Sequence, residues 1–164
     1  MSPATGVLSL VLVTLIWGST FVVVKEALDT IPVPLLLAVR FTIATLTLAW
    51  ARWDRRALVP ALILGVLSFL GFATQTAGLA ITTASNAAFI TGLSVILTPI
   101  VAKVWLRRYL PGRVFLAAFV ALAGLALMTL RNGTAAINGG DLLILSTALT
   151  YAIYIVYLGE AVCS

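Results

Sequence analysis

An arginine, Arg40, stands in the middle of an oily stretch, "LLLAVRFTIATL". A guanidinium stays protonated even in hydrocarbon, so this charge needs a partner, a cavity or a route to water. Three arrangements meet the need. Arg40 can snorkel into an ion pair with Glu26 or Asp29, receive an anionic group of a substrate, or gate a conformational change. Other polar groups within apolar runs are few. Gln75 and Asn86 offer amides that both donate and accept, Thr150 and Tyr154 offer hydroxyls, and Trp17 offers a flat ring with one N–H.

Such groups recognise small molecules and do not turn them over. The chain has no histidine, which removes a serine–histidine pair and histidine ligation of zinc, and its one cysteine, Cys163, can form no internal disulfide. No metal site or cofactor is expected. "GLSVI" departs from a nucleophile elbow at Ile96, where the second glycine belongs, and no Gly-rich loop with lysine is present to cradle phosphate. The chain is not expected to be an enzyme.

Spacing groups these residues into faces. Ser68, Gly71, Gln75, Gly78 and Thr82 recur at alternating steps of three and four, one face of a helix. Ser85, Ala88, Gly92, Val95 and Pro99 form a second stripe with Asn86 beside it, and Thr147, Thr150, Tyr154 and Tyr157 a third. Close helix packing explains small-residue stripes, and is the preferred reading for Ala117, Ala121 and Gly124. Gln75 and Asn86 point instead to a substrate cavity, since midplane sites use such amides. Trp17 and Tyr154 lie well inside their runs and are either cavity lining or interfacial anchors; Trp50, Trp53 and Trp105 read as anchors. Pro99 makes a kink, either a hinge or a fixed bend.

The elements that must carry these faces are membrane spans. Hydrophobic residues make up 62% of the chain and charged ones 9%, and mean hydropathy is +1.18, outside the range of soluble domains. Six apolar runs, near 5–24, 33–51, 58–80, 86–106, 113–130 and 141–158, each approach the roughly 20 residues that cross a bilayer as a helix. The fold expected is therefore all-α and polytopic, with six transmembrane helices in contact with lipid. The first run lacks a basic leader and reads as a retained helix rather than a cleaved signal. Asp141 is expected to cap the last helix.

Seven of the ten basic residues, Arg52, Arg55, Arg56, Lys103, Arg107, Arg108 and Arg113, fall in two alternate loops. By the positive-inside rule those loops and the N-terminus are cytoplasmic. The excess of +5 is then a topology signal and not a nucleic-acid footprint.

The chain also echoes itself. "GVLSLVLVTLIWGSTFVVVKEA" laid on "GDLLILSTALTYAIYIVYLGEA" matches Gly6 to Gly140, Trp17 to Tyr151, Val22 to Val156, Glu26 to Glu160 and Ala27 to Ala161. The last run thus restarts the first after five spans. An odd-span repeat inserts its second copy upside down, as in many secondary transporters.

Taken in order, "LIWGSTFVVVKEAL", "LLLAVRFTIATL", "TTASNAAFITGLSVILTPIVA", "FVALAGLALM" and "NGGDLLILSTALTYAIYIVYL" resemble the EamA family of the drug/metabolite transporter superfamily over essentially the whole chain. The resemblance implies a ten-helix 5+5 inverted-repeat permease that moves small metabolites, amino acids or the like, across the bacterial inner membrane. On that pattern residues 5–131 form the first five-helix repeat and 138–159 the opening helix of the second, with the remaining C-terminal repeat as a required partner. A non-transporting fragment and a membrane assembly or regulatory subunit are the alternatives. Arg108 stands where family members often have an acid. The small multidrug-resistance relatives use a glutamate in their first helix, and positions 8–24 contain none, so that mode of proton coupling is not expected.

Overall fold

The computed structural model describes residues 3–50, 57–107, 111–130 and 138–163. Among them it contains seven helical segments and no strand: α1 (Pro3–Leu28), α2 (Val33–Leu48), α3 (Leu58–Ile81), α4 (Ala84–Gly92), α5 (Ser94–Leu106), α6 (Gly112–Leu130) and α7 (Gly139–Cys163). The protein is an all-helical, polytopic membrane protein. Four stretches are long and apolar enough to cross a bilayer, Thr5–Leu28, Leu58–Ile81, Ala84–Leu106 and Gly139–Val162, and Val33–Leu48 is a shorter apolar helix.

Local chemistry sets most of the helix ends. Pro32, with extended backbone, opens α2, and Pro34 follows where a missing N–H costs nothing. Helix α3 stops at Thr82, whose extended backbone turns the chain while its N–H still bonds the Gly78 carbonyl. One residue later Thr83 begins α4 by accepting the Asn86 N–H on its side-chain oxygen. Helix α7 starts with a reciprocal cap. The Asn138 side chain accepts the Asp141 N–H at 3.1 Å, and the Asp141 carboxylate accepts the Asn138 N–H at 3.0 Å. Asp141 is therefore the returning arm of the cap, with Asn138 as the capping residue itself.

The fourth apolar run, expected as one helix near 86–106, is divided. Leu93 separates α4 from α5, its N–H bonding back to Ile90 and its carbonyl accepting both Ile96 and Leu97. Pro99 lies inside α5 and removes a further backbone donor.

Helix α7 is the hub. It packs most extensively on α3 and also touches α4 and α5, while α2 lies against α3 and α1 lies against both α3 and α4. Leu79, Ala87 and Ile144 form the buried core, with Phe21, Val24, Leu28, Ala84 and Ile90 packed around it. Polar groups share the interior: Gln75, Thr76, Thr91, Asp141 and Thr147 are buried, whereas leucines and valines along α1 are exposed. That inverted distribution suits a bundle whose outer solvent is lipid, where polar side chains bond one another across helices.

Candidate functional site

Arg40 occupies the midpoint of α2, and its guanidinium carbon lies 3.8 Å from the centre of the Phe72 ring on α3. The planar cation stacks on the negative face of the aromatic ring, an attraction that grows as water is removed. The ion pair with Glu26 or Asp29 does not form. Among the described residues no carboxylate lies within ion-pair distance of Arg40, so the ring is its visible partner. The basic side chain near Asp29 is used otherwise. Lys25 donates to the carbonyls of Leu79 at 2.9 Å and Ala80 at 3.2 Å, the last turn of α3, where a cation meets the negative end of the helix.

Phe72 links Arg40 to the hub helix. Its ring stands edge-on to Tyr151 of α7, centres 5.9 Å apart, and Tyr151 in turn lies 6.4 Å from Trp17 of α1. Phe41 packs against both Phe69 and Phe72. Tyr151 can come this close because α3 carries Gly71 beneath it; a Cβ there would collide with the phenol ring. The Tyr151 hydroxyl donates to the Gln75 side-chain oxygen at 3.5 Å, and the Gln75 amide nitrogen donates to the Thr91 hydroxyl at 3.3 Å. One turn away Thr74 and Thr147 share a hydrogen bond of 2.8 Å.

These groups border a small internal cavity of about 10 Å³, lined by Thr20, Phe21, Val24, Arg40, Gln75 and Leu79 among others, with room for about one water. Its walls present a fixed cation (Arg40), an amide (Gln75) and two hydroxyls (Thr20 and Thr76), with the Tyr151 phenol behind Gln75. That set can orient a small polar or aromatic molecule by charge, hydrogen bonds and stacking, and holds no arrangement for covalent chemistry. A separate groove of about 680 Å³ runs between α5, α6 and α7, lined by Val95, Pro99, Ala117, Ala118 and Ile155 with Arg113 and Thr98 as its polar contributors.

Of the six residues singled out in the sequence, the structure brings together Trp17, Arg40 and Gln75. Asn86 lies in the first turn of α4, away from the cavity lining, where its backbone completes the cap. Thr150 returns its hydroxyl to the Ser146 carbonyl at 2.8 Å, and Tyr154 lies half-buried one turn beyond Tyr151. Three members of the cluster went unrecognised in the sequence: Phe72, Thr91 and Tyr151. Tyr151 had a signal, since it is the counterpart of Trp17 in the internal echo. Thr91 was missed because the stripe through Ser85, Ala88, Gly92, Val95 and Pro99 follows a different face of α4 from the one that packs inward. Ala87 and Thr91 are the buried residues of α4 and Pro99, a member of that stripe, is buried in α5, whereas Val95 is 56% exposed. The interruption at Leu93 resets the helical phase, so one period does not run through both segments.

The comparisons with known proteins agree with this architecture. Residues 4–130 match the EamA-like transporter family. An uncharacterized transporter of Archaeoglobus fulgidus is 40% identical over 146 residues, covering 88% of this chain and 46% of that protein. The uncharacterized transporter YyaM of Bacillus subtilis is 32% identical over 106 residues, 61% of this chain and 35% of that protein. The chain thus matches less than half the length of each. No solved structure matches significantly. With a helical bundle of apolar spans, polar groups gathered inside it and a family match over more than three-quarters of its length, the chain belongs to the EamA-like transporter family.

Proposed function

We propose that this chain is the first half of a ten-helix permease, residues 5–131 forming one five-helix repeat and 138–159 opening its inverted partner, which moves amino acids or similar small metabolites by alternating access. The observation that carries this reading is the Arg40–Phe72–Tyr151–Gln75 cluster. A permanent charge held at mid-span by an aromatic face, with no carboxylate beside it among the described residues, is costly to a protein that only needs to pack. Around it lies a cavity far smaller than a metabolite, and a site of that size can serve transport only if the helices around it move apart. Lys25, Asn138 and Asp141 tie α1, α3 and α7 together at one end of the bundle, which supports a state closed at that end. The charge bias of the loops supports an N-terminus in the cytoplasm, and residence in the bacterial inner membrane rests on the family resemblance alone. Nothing in the cluster calls for catalysis, and we read the chain as a transporter half without enzymatic activity.

Reconstitution tests this. The chain is placed in proteoliposomes alone and together with the portion of the Archaeoglobus relative that it does not match, and uptake of a labelled amino-acid panel is followed. Flux is expected only from the pair. Arg40→Lys, which keeps the charge without the planar stack, should retain assembly and lose most of the flux. Full flux from Arg40→Ala pairs would remove the cluster from the transport path, and flux from the chain alone would remove the half-transporter reading.

A further inference from the structure

Helices α1 and α7 carry related sequences and are used in opposite ways. On α7 the face that includes Gly140, Ile144, Thr147, Ala148 and Tyr151 is buried. A Cβ on Gly140 would meet the Gly78 carbonyl oxygen at 2.6 Å, so the backbones of α3 and α7 touch there. The echo aligns that face with Gly6, Leu10, Val13, Thr14 and Trp17 of α1. This second face is uncovered: Leu10 is 69% and Val13 58% exposed, and a Cβ on Gly6 or Gly18 would meet nothing within 4 Å. A glycine inside a helix carries a propensity cost relative to alanine. On α7 close packing offsets that cost; on α1 nothing in the described residues does.

Geometry adds two constraints on what covers α1. The Lys25 end of α1 rests on Leu79 and Ala80, and the same end of α3 meets Asn138 and Asp141 at the start of α7, so α1 and α7 run antiparallel. The aligned residues Trp17 and Tyr151 also meet, ring centres 6.4 Å apart. Positions equivalent in an inverted repeat can touch only beside the two-fold axis that relates the halves.

We propose that the Gly6–Leu10–Val13–Trp17 face of α1 docks a helix of the same kind as α3, lying against α1 as α3 lies against α7. Its small residues sit opposite Trp17 and Gly6, as Gly71 sits under Tyr151 and Gly78 against Gly140, with a polar side chain between them in the place of Gln75. The inference rests on the half-transporter reading, and the occupant belongs to the second repeat, in the portion of the relatives that this chain does not match. A second copy of this chain is the wrong partner. The docked helix must run antiparallel to α1 as α3 does to α7, so another copy would have to insert upside down, against the seven basic residues in two alternate loops.

The test uses the chain with Trp50, Trp53 and Trp105 replaced by phenylalanine, leaving Trp17 as its tryptophan, in nanodiscs containing brominated lipid. It is measured alone and co-purified with the unmatched portion of the Archaeoglobus relative, tryptophans of that portion likewise replaced. Trp17 fluorescence should be strongly quenched alone and largely recover in the pair. A reporter on the opposite face, Leu15→Trp in a Trp17→Phe background, should remain quenched in both. Gly6→Leu should leave the isolated chain as stable as before and lower co-purification by about tenfold. Co-purification with Trp17 still quenched would overturn the docking face while leaving the half-transporter reading intact. Shielding of Trp17 in the isolated chain would assign the face to a second copy and overturn the stated occupant. Failure of the two portions to co-purify at all would remove the half-transporter reading, and this inference with it.

Discussion

The α3–α7 contact and helix α1 are both made from oily spans, α1 the more apolar, yet the contact is the tightest seam among the described residues and α1 is nearly bare. The seam contains Gly71, Gly78, Gly140, Gln75, Thr74 and Thr147, and backbones approach until a methyl group would not fit. Helix α1 leaves most of its leucines and valines exposed, packs only Phe21, Val24 and Leu28 against the core, and has Lys25 as its main polar tie to α3. In water the more apolar helix would be the buried one. In lipid, apolar side chains gain little by leaving the solvent, and association depends on close fit and on hydrogen bonds between helices.

The comparison breaks most readily at its glycines. Gly78→Val would press its side chain into the Gly140 carbonyl and Ile144, at 2.7 and 2.8 Å even from the first carbon, and is expected to cost about 3 kcal/mol, the upper part of the range for overpacking. Gly18→Val on α1, where the first carbon has nothing within 4 Å, should change the stability of the isolated chain by less than about 0.5 kcal/mol. Unfolding in mixed micelles followed by circular dichroism compares them; equal losses would end the contrast between the two regions.

A somewhat smaller effect is expected at the end of the seam. Asp141 accepts the Thr82 hydroxyl and the Asn138 N–H, joining the end of α3 to the start of α7. Asp141→Ala leaves both donors without that acceptor and should cost about 2 kcal/mol. Adding Thr82→Val to that variant should cost less than Thr82→Val does alone, because the two share one interaction. Additive losses in the same unfolding assay would mean that the two residues stabilise the junction independently.

The weakest of the three lies in the middle. Thr74→Val removes one partner of the Thr74–Thr147 hydrogen bond, and such bonds between membrane helices average about 0.6 kcal/mol. A double-mutant cycle with Thr147→Val should return a coupling of about that size. A coupling near zero would leave the seam to shape alone, sharpening the case that glycine contact is what separates α3–α7 from α1.

Parts of this were legible before the structure. The stripe of Ser68, Gly71, Gln75, Gly78 and Thr82 was visible because α3 is unbroken up to its cap at Thr82, so a single period runs through it; Ser68 is half-buried and the other four are buried. The same reading missed the buried face of the fourth span ahead of Leu93, where Ala87 and Thr91 turn inward, and met it only beyond that break, at Pro99. Arg40 stood out at once as a charge that needed a partner, but Phe72 did not, since an aromatic that holds a cation and one that faces lipid look alike in a list of residues. The capping pair shows a finer miss: Asp141 was seen as a cap from its type, while the reciprocal bond with Asn138 depends on three intervening residues folding back.

The sequence by itself determined that the chain enters a membrane, how many apolar runs it offers, and which residues cannot rest against hydrocarbon. Those properties are local, because transfer of a segment into lipid depends on its own side chains and on backbone hydrogen bonds closed within its own helix. Tertiary structure alone decided that the face of α3 meets α7, that Tyr151 lies over Gly71, and that Arg40 stacks on Phe72 instead of pairing with Glu26. These pairings join residues far apart in the chain, and among many oily faces the choice between them is made by fit and hydrogen-bond geometry, which no single helix contains.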